Sequence, residues 1–323
     1  MHITRRRLLT ASMSCAAVAL PAVTRAQPKL LRVLVGYPAG GAVDVVARET
    51  AEGLRGAGYQ AIVENISGAA GRMATTQLLQ APADGGAIVC MPSGNATIFP
   101  HVYRNLGHDP LADLQPLGTA CRFAFGLAAG PGTPAKTLQE FIAWAKANPT
   151  KASYGTPGGG TAMHFLGVMF GRAAGIDFLH VPYKGGAQAI VDVMGGSIPT
   201  LLTTVPNLVN PHAQGKVRIL AFSGEKPLAS LPGVPTFAQA GFPDLTIYDS
   251  FAFFARSGTP AAAAASLSAA LAASVQSERV VQALRKLEFE PLATEPAALA
   301  ARLRDEHAKW KRVVAESGYK ATD

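Results

Sequence analysis

The residues of this chain equipped for chemistry sit in five glycine-bearing turns, each carrying a hydroxyl, amide or charged side chain. They are Tyr37-Pro38-Ala39-Gly40-Gly41 with Asp44 just beyond, Ser67 through Gly71, Ser93-Gly94-Asn95, Thr156 through Thr161 with His164 following, and Tyr183-Lys184-Gly185-Gly186. Glycine, lacking a Cβ, lets the main chain approach a ligand closely. A helix that starts behind such a turn presents unpaired N–H groups and a partial positive charge. A carboxylate is held there without an arginine or lysine. The hydroxyls of Ser67, Ser93, Thr156 and Thr161 and the amide of Asn95 add donors around Gly158, Gly159 and the other turn glycines.

Each feature also has a plain reading. Any one of the turns taken singly is an ordinary chain reversal. Asp44 serves equally well as a first-turn acid facing the helix dipole or as an acceptor for a ligand amine or hydroxyl. His164 fits a satisfied core histidine better than a ligand group. Lys184 divides evenly between a solvated lysine and an anion contact, and Tyr183 reads as wall. What favours a shared site is recurrence. In a parallel sheet all strand-to-helix turns open at the carboxyl ends of the strands, where open α/β sheets bind ligands.

Other chemistries lack their signatures. There is no Gly-x-Ser-x-Gly elbow, no Gly-x-x-x-x-Gly-Lys loop and no His-Glu-x-x-His helix. Ser67, Ser93 and His164 supply the residue types of a nucleophile and base without any pattern that joins them, so a hydrolase or transferase is the weaker reading. Cys90 and Cys121 belong to no CxxC and no zinc spacing, and read as buried small hydrophobes with a disulfide left open. No cofactor and no metal are expected.

The elements that must position the turns repeat as strand, glycine turn and helix. Leu31–Val35, Ala61–Asn65 and Ala87–Met91 read as strands, with helical spacing over Val43–Leu54 and Met73–Gln80, which means parallel α/β. A second block runs through strands at Phe125–Ala129, Ser153–Gly155, Phe178–Val181, Ile198–Thr203 and Val217–Phe222. Within it Thr137 and Glu140 form a capping box, Glu140 reaching back to Thr137. After a strand at Phe251–Ala255 come two helices, one from Pro260 to Val275 and one from about Glu295 to Ser317. With no strands to follow, they are expected to fold back onto the first block. The prediction is a discontinuous first lobe, 27–123 plus 251–323, and a continuous second lobe, 124–250. Two crossings join them, near Leu117–Phe125 and Leu245–Phe254.

The first residues read as an address. Arg5-Arg6-Arg7-Leu8-Leu9, a short apolar stretch and Thr24-Arg25-Ala26 form a cleavable export signal over 1–26, of the twin-arginine or the general type. The stretch is too short, and too broken by Ser12, Ser14 and Pro21, to span a bilayer. Removing its four arginines takes the balance from 29 basic against 21 acidic residues to 25 against 21, a net of +4. The remaining cations are scattered, which argues against a nucleic-acid partner. A periplasmic location follows.

The turns together resemble a known family. Tyr37-Pro38-Ala39-Gly40-Gly41 with Asp44, Asn65 through Gly71, Tyr154 through Thr161 with His164, Val181-Pro182-Tyr183-Lys184-Gly185, Pro232 through Thr236 and Ser257 through Pro260 are similar to the motifs of the Bug/TctC family, the extracytoplasmic substrate-binding proteins of tripartite tricarboxylate transporters. The resemblance covers the chain beyond residue 26. It implies a type II periplasmic-binding-protein fold, two Rossmann-like lobes joined by two crossover strands. It also implies a small organic acid as ligand, its carboxylate held by the 38–41 loop and the 156–161 loop, and membrane permease subunits as partners. A loaded receptor docking on a sensor kinase uses the same trap. Pro199 and Thr203 stand where the family leads one to expect aspartates, and Ser250 where an aromatic residue is common. Thr203 therefore joins the candidate ligand-binding residues with a different chemistry.

Overall fold

A computed structural model describes residues 28–320; the export-signal reading of 1–26 lies outside them. Ten strands occur among the described residues: β1 (Lys29–Val35), β2 (Tyr59–Asn65), β3 (Ala87–Pro92), β4 (Leu114–Ala129), β5 (Ser153–Thr156), β6 (Leu179–Pro182), β7 (Thr200–Thr204), β8 (Arg218–Phe222), β9 (Tyr248–Arg256) and β10 (Glu290–Pro291). Their order is β2-β1-β3-β9-β4-β7-β5-β6, with β8 and β10 also pairing β4. β1 is parallel to β2 and β3, and β5 is parallel to β6 and β7. These are the two strand–turn–helix blocks expected from the sequence. β4 and β9 join them as antiparallel neighbours, so the sheet is mixed.

β4 is the long element. Residues Leu114–Ala124 pair with β9, and Phe125–Ala129 pair with β7 and β8. The sequence pattern marked only the second stretch as a strand and the first as a crossing near Leu117–Phe125. Pro116 and Gly118 interrupt the first, where the register shifts between Pro116 and Gly118 and again between Thr119 and Cys121. Such bulges break the alternation on which strand reading depends.

Three further expectations need correcting. Ser93-Gly94-Asn95 is not a free turn but the start of a helix, Ser93–Val102, which springs directly from β3. That helix is buried on nearly all sides and carries Pro100, so it shows no amphipathic stripe. Thr137 caps its helix as predicted, but Glu140 accepts from Lys136 N–H at 2.7 Å, one residue beyond the expected partner. A third late helix, Glu278–Lys286, is capped by Ser277 and lies between the two foreseen, Ala261–Gln276 and Pro296–Ser317.

The last helix folds back as expected. Leu299 and Leu303 bury themselves with Leu34, Val89 and Phe254. Each such fully buried side chain contributes about 1.5–3 kcal/mol. Farther along, Trp310 reaches Phe165 of the second block, with ring centroids 6.2 Å apart. Cys90 and Cys121 are free thiols, both wholly buried, and burial raises both pKa values.

Candidate functional site

Between the two blocks lies a cavity of about 480 Å³, and the predicted turns converge on it. Tyr37, Pro38, Ala39, Gly40 and Gly41 line one side; Thr161, Lys184, Gly185 and Thr203 line the other. The opposed loops touch. A Cβ on Gly185 would lie 3.2 Å from Pro38 Cδ, and one on Gly158 would lie 3.2 Å from Ala70 Cβ. Glycine at 185 therefore permits both the close approach and its positive φ of 133°.

The first loop is held from beneath by Asp44. Its carboxylate accepts from Gly40 N–H at 2.8 Å, from Arg48 Nε at 3.0 Å and from Asn65 Nδ2 at 2.8 Å. Asn65 also donates to the Tyr37 carbonyl at 3.1 Å. Both Asp44 oxygens are occupied and the residue is 2% exposed, so the geometry makes it a brace rather than a ligand acceptor. Burial pushes its carboxyl up, but the bonds from Arg48, Gly40 and Asn65 outweigh that and hold it below the ordinary carboxylate value. Behind Gly41 the helix Ala42–Leu54 starts with no side-chain cap, and Ala42 and Val43 line the cavity.

The second loop is held by histidines. Gly160 N–H donates to His164 Nδ1 at 3.1 Å, which leaves that ring neutral with its proton on Nε2. Thr156 and Thr161 both donate to the Gly158 carbonyl at 2.9 Å. Thr156 Oγ1 thus accepts from His180 Nε2, 2.7 Å away. The two imidazoles stack at 3.9 Å, and Tyr319 from the end of the chain closes edge-on over His164 at 4.3 Å. Burial lowers His164 to about 4; burial and then the neighbouring His164 lower His180 to about 3.

Other predicted residues lie outside the cavity wall, each for a visible reason. Asn95 donates to the Tyr37 hydroxyl at 3.2 Å and to the Ala70 carbonyl at 3.3 Å, tying two loops together. Ser93 is fully buried and donates to Asp249 at 2.8 Å. Ser67 is exposed and is not among the residues lining the cavity. Thr156, Gly158, Gly159 and His164 form the frame behind Thr161. Tyr183 turns away to donate to Asp192 at 2.8 Å, and burial with that bond pushes its hydroxyl up to about 12.

Sequence reasoning missed several residues. Phe123 and Phe251 line the cavity from β4 and β9, the strands whose reach was misjudged. Asn207 lines it too, donating to Thr203 Oγ1 at 3.3 Å. Asp249 accepts Ser93 Oγ–H, Gly94 N–H and Ser250 N–H, and so fills the N-terminus of the Ser93–Val102 helix. A lone acid at the start of an apolar strand was the only available signal for it.

Three uncapped helix starts thus face the cavity, behind Gly41, Gly185 and Thr204. Among the described residues no group of three or more His, Cys, Asp or Glu could hold a metal ion, and no helix is long and apolar enough to cross a membrane. Such a site can bind an anion through main-chain dipoles.

Known proteins are similar to this chain in sequence and fold. A family model described as the tripartite tricarboxylate transporter family receptor, TctC, matches residues 46–319. A Cupriavidus necator protein called UPF0065 protein in gbd 5'region is 31% identical over 293 residues, covering 90% of this chain and 88% of its own. BugT of Bordetella pertussis is 27% identical over 311 residues, 95% of each chain. Among solved structures, the periplasmic binding protein BugD matches with a TM-score of 0.85 at 29% identity, covering 90% of this chain and 98% of its own. Rpa4515 of R. palustris, solved with adipate, gives 0.85 at 28% identity over 90% of this chain and 97% of its own. The mixed α/β architecture is that of periplasmic solute-binding proteins, as the sequence motifs implied. This chain belongs to the TctC receptor family of tripartite tricarboxylate transporters.

Proposed function

We propose that this chain is exported through a cleaved N-terminal signal and works in the periplasm as a receptor for a small carboxylate-bearing solute, which it passes to the permease subunits of a tripartite tricarboxylate-type transporter. The observation that carries the reading is the facing pair of uncapped helix starts, Ala42–Val43 and Gly186–Ala187, on opposite walls of one cavity. An anion between them satisfies donors from both walls at once, and only when the walls are together. Closure is then stabilised by differential contacts with the closed state. Rpa4515, solved with adipate, supports a carboxylate as the ligand type. We see no candidate base for catalysis beside the loops: His164 Nδ1 accepts from Gly160 N–H, and His180 Nε2 donates to Thr156 Oγ1.

We read the lobes as 27–123 plus 251–323 and 124–250, with the two crossings as the hinge; the change of β4's partner from β9 to β7 and β8 after Ala124 supports that division. Thermal unfolding and calorimetry against a panel of carboxylates test the reading. A carboxylate at a hundred times its Kd should stabilise the fold by about 2.7 kcal/mol and be recovered unchanged. Failure of every carboxylate to shift the transition overturns it.

A further inference from the structure

We infer that the solute is a monocarboxylate with an apolar, ring-sized body, rather than a di- or tricarboxylate or an amino acid. This deepens the receptor reading and rests on it. Polar groups of the wall gather at one corner of the cavity, and Tyr37, Thr161 and Gln188 also line it. A Cβ on Gly186 would lie 3.4 Å from the Asn207 amide nitrogen and 3.7 Å from Thr203 Oγ1, and Gly185 beside it lies against Pro38 of the opposite loop. Thr204, adjoining them in the wall, keeps a buried Oγ1 without a hydrogen-bond partner. The helix start behind Gly185, two hydroxyls and an amide therefore gather at a single place, enough for one carboxylate.

The rest of the wall is of another kind. It is mostly apolar, with Phe123, Phe251, Met163, Ile190, Pro92 and Pro157, and its polar side chains Tyr37, Thr161 and Gln188 carry no charge. Phe123 and Phe251 stand 4.4 Å apart between ring centroids, tilted by 41°, and are nearly wholly buried. A second carboxylate pressed against these groups would lose its hydration and gain no donor, which is costly. An aromatic ring gains apolar contact and edge or face packing there. Among the described lining residues Lys184 is the single cation, and it projects from an exposed turn.

An ammonium group fares no better. No Asp or Glu is among the lining residues. The nearby acid, Asp44, has both oxygens committed to Gly40, Arg48 and Asn65. At Thr203 a neutral hydroxyl, already paired with Asn207, stands in the wall. The pocket is therefore shaped for one negative head and an uncharged body.

Calorimetry at neutral pH with benzoate, phenylacetate and cinnamate, against succinate, adipate and citrate, against glutamate and phenylalanine, and against benzamide, tests this. The expected result is an aromatic monocarboxylate binding about tenfold or more tighter than adipate, with benzamide and phenylalanine silent. Adipate, citrate or an amino acid binding as tightly as the aromatic acids overturns the inference and leaves the receptor reading standing. No binding by any carboxylate overturns both. Ile190→Lys, on a partly exposed helix face, supplies a second check by placing a cation on the apolar wall. It should improve adipate relative to benzoate about tenfold; an unchanged ranking counts against the inference.

Discussion

The two glycine loops that face each other across the cavity are braced by the same device with opposite electrostatics. In each, a loop N–H is given to a side chain four residues on: Gly40 to Asp44, and Gly160 to His164. The first brace is a carboxylate offset by Arg48 and Asn65; the second is a neutral imidazole stacked on another. A charged brace needs partners but survives acid, because those partners hold its pKa down. A neutral brace needs only burial, yet it fails once protonated, since Nδ1–H cannot accept from Gly160.

The comparison breaks most severely at Asp44. Asp44→Ala leaves Gly40 N–H, Asn65 and Arg48 without their shared acceptor, and should destabilise the fold by about 2–4 kcal/mol. Ligand affinity should fall with it, because the 38–41 backbone loses its fixed shape. Asp44→Asn keeps one acceptor oxygen and should recover part of both losses. Thermal unfolding and calorimetry read the two variants side by side. Equal effects from Ala and Asn would mean the carboxylate charge, rather than the hydrogen bonds, sets the loop.

His164→Ala comes next, at about 2 kcal/mol, from a lost acceptor for Gly160 and a cavity beneath Tyr319. Its sharper signature is in pH. With His164 near 4 and His180 near 3 in the folded chain against 6.5 unfolded, the unfolded state binds more protons across that interval. Stability from the imidazoles is therefore complete above about 6.5 and is lost as pH falls toward 4 and below. Asp44, depressed below 3.8, holds until still lower pH, so acid should loosen the second loop first. Glu306, pushed up to about 7 chiefly by burial, slopes the opposite way between 4.5 and 7. For that reason the informative quantity is the difference between the chain and His164→Ala, measured by denaturant unfolding across pH. A difference that does not change with pH would remove the neutral-brace account.

Gly185→Ala strikes where the loops meet instead of where they are braced. A side chain at φ 133° is strained, and its Cβ would press on Pro38 at 3.2 Å. The combined cost is about 1–3 kcal/mol, felt mostly in the closed state. Affinity should drop about tenfold, each tenfold being 1.4 kcal/mol, with a smaller change in unfolding. Unaltered binding would mean that the Pro38–Gly185 contact is not part of ligand capture.

How much of this was legible in the sequence follows from the kind of signal each feature leaves. The turns at 37–41, 156–161 and 183–186 announce themselves because glycine and hydroxyl residues cluster between periodic segments, and the structure brings all three to one cavity wall or its frame. The function of Asp44 and His164 as braces was not legible, since a residue type does not say which neighbour takes its lone pairs. β4 was half seen: bulges at Pro116 to Cys121 erase alternation, and with them went Phe123. The Ser93–Val102 helix was missed because burial on every side leaves no polar face to mark a period. Apolar wall residues such as Phe251 look the same in sequence whether they face a core or a ligand.

The smallest effect is expected at the helix start that an acid from a neighbouring strand fills. Asp249 Oδ1 accepts from Ser93 Oγ, Gly94 N–H and Ser250 N–H, while the starts behind Gly41 and Gly185 carry no side-chain cap. Burial raises the Asp249 carboxyl, against the hydrogen bonds that favour its charge, so a neutral acceptor is tolerated there. Asp249→Asn keeps an oxygen in place for all three donors and removes the buried charge. Stability should change by less than about 1 kcal/mol, and at high pH in the favourable direction, since a raised carboxyl weakens the fold as it ionises. Carboxylate affinity should stay within about threefold, because this helix start never faces the ligand as a free donor. A large loss of affinity would instead place Asp249 in the capture step, and the division between the filled helix start and the open ones would no longer hold.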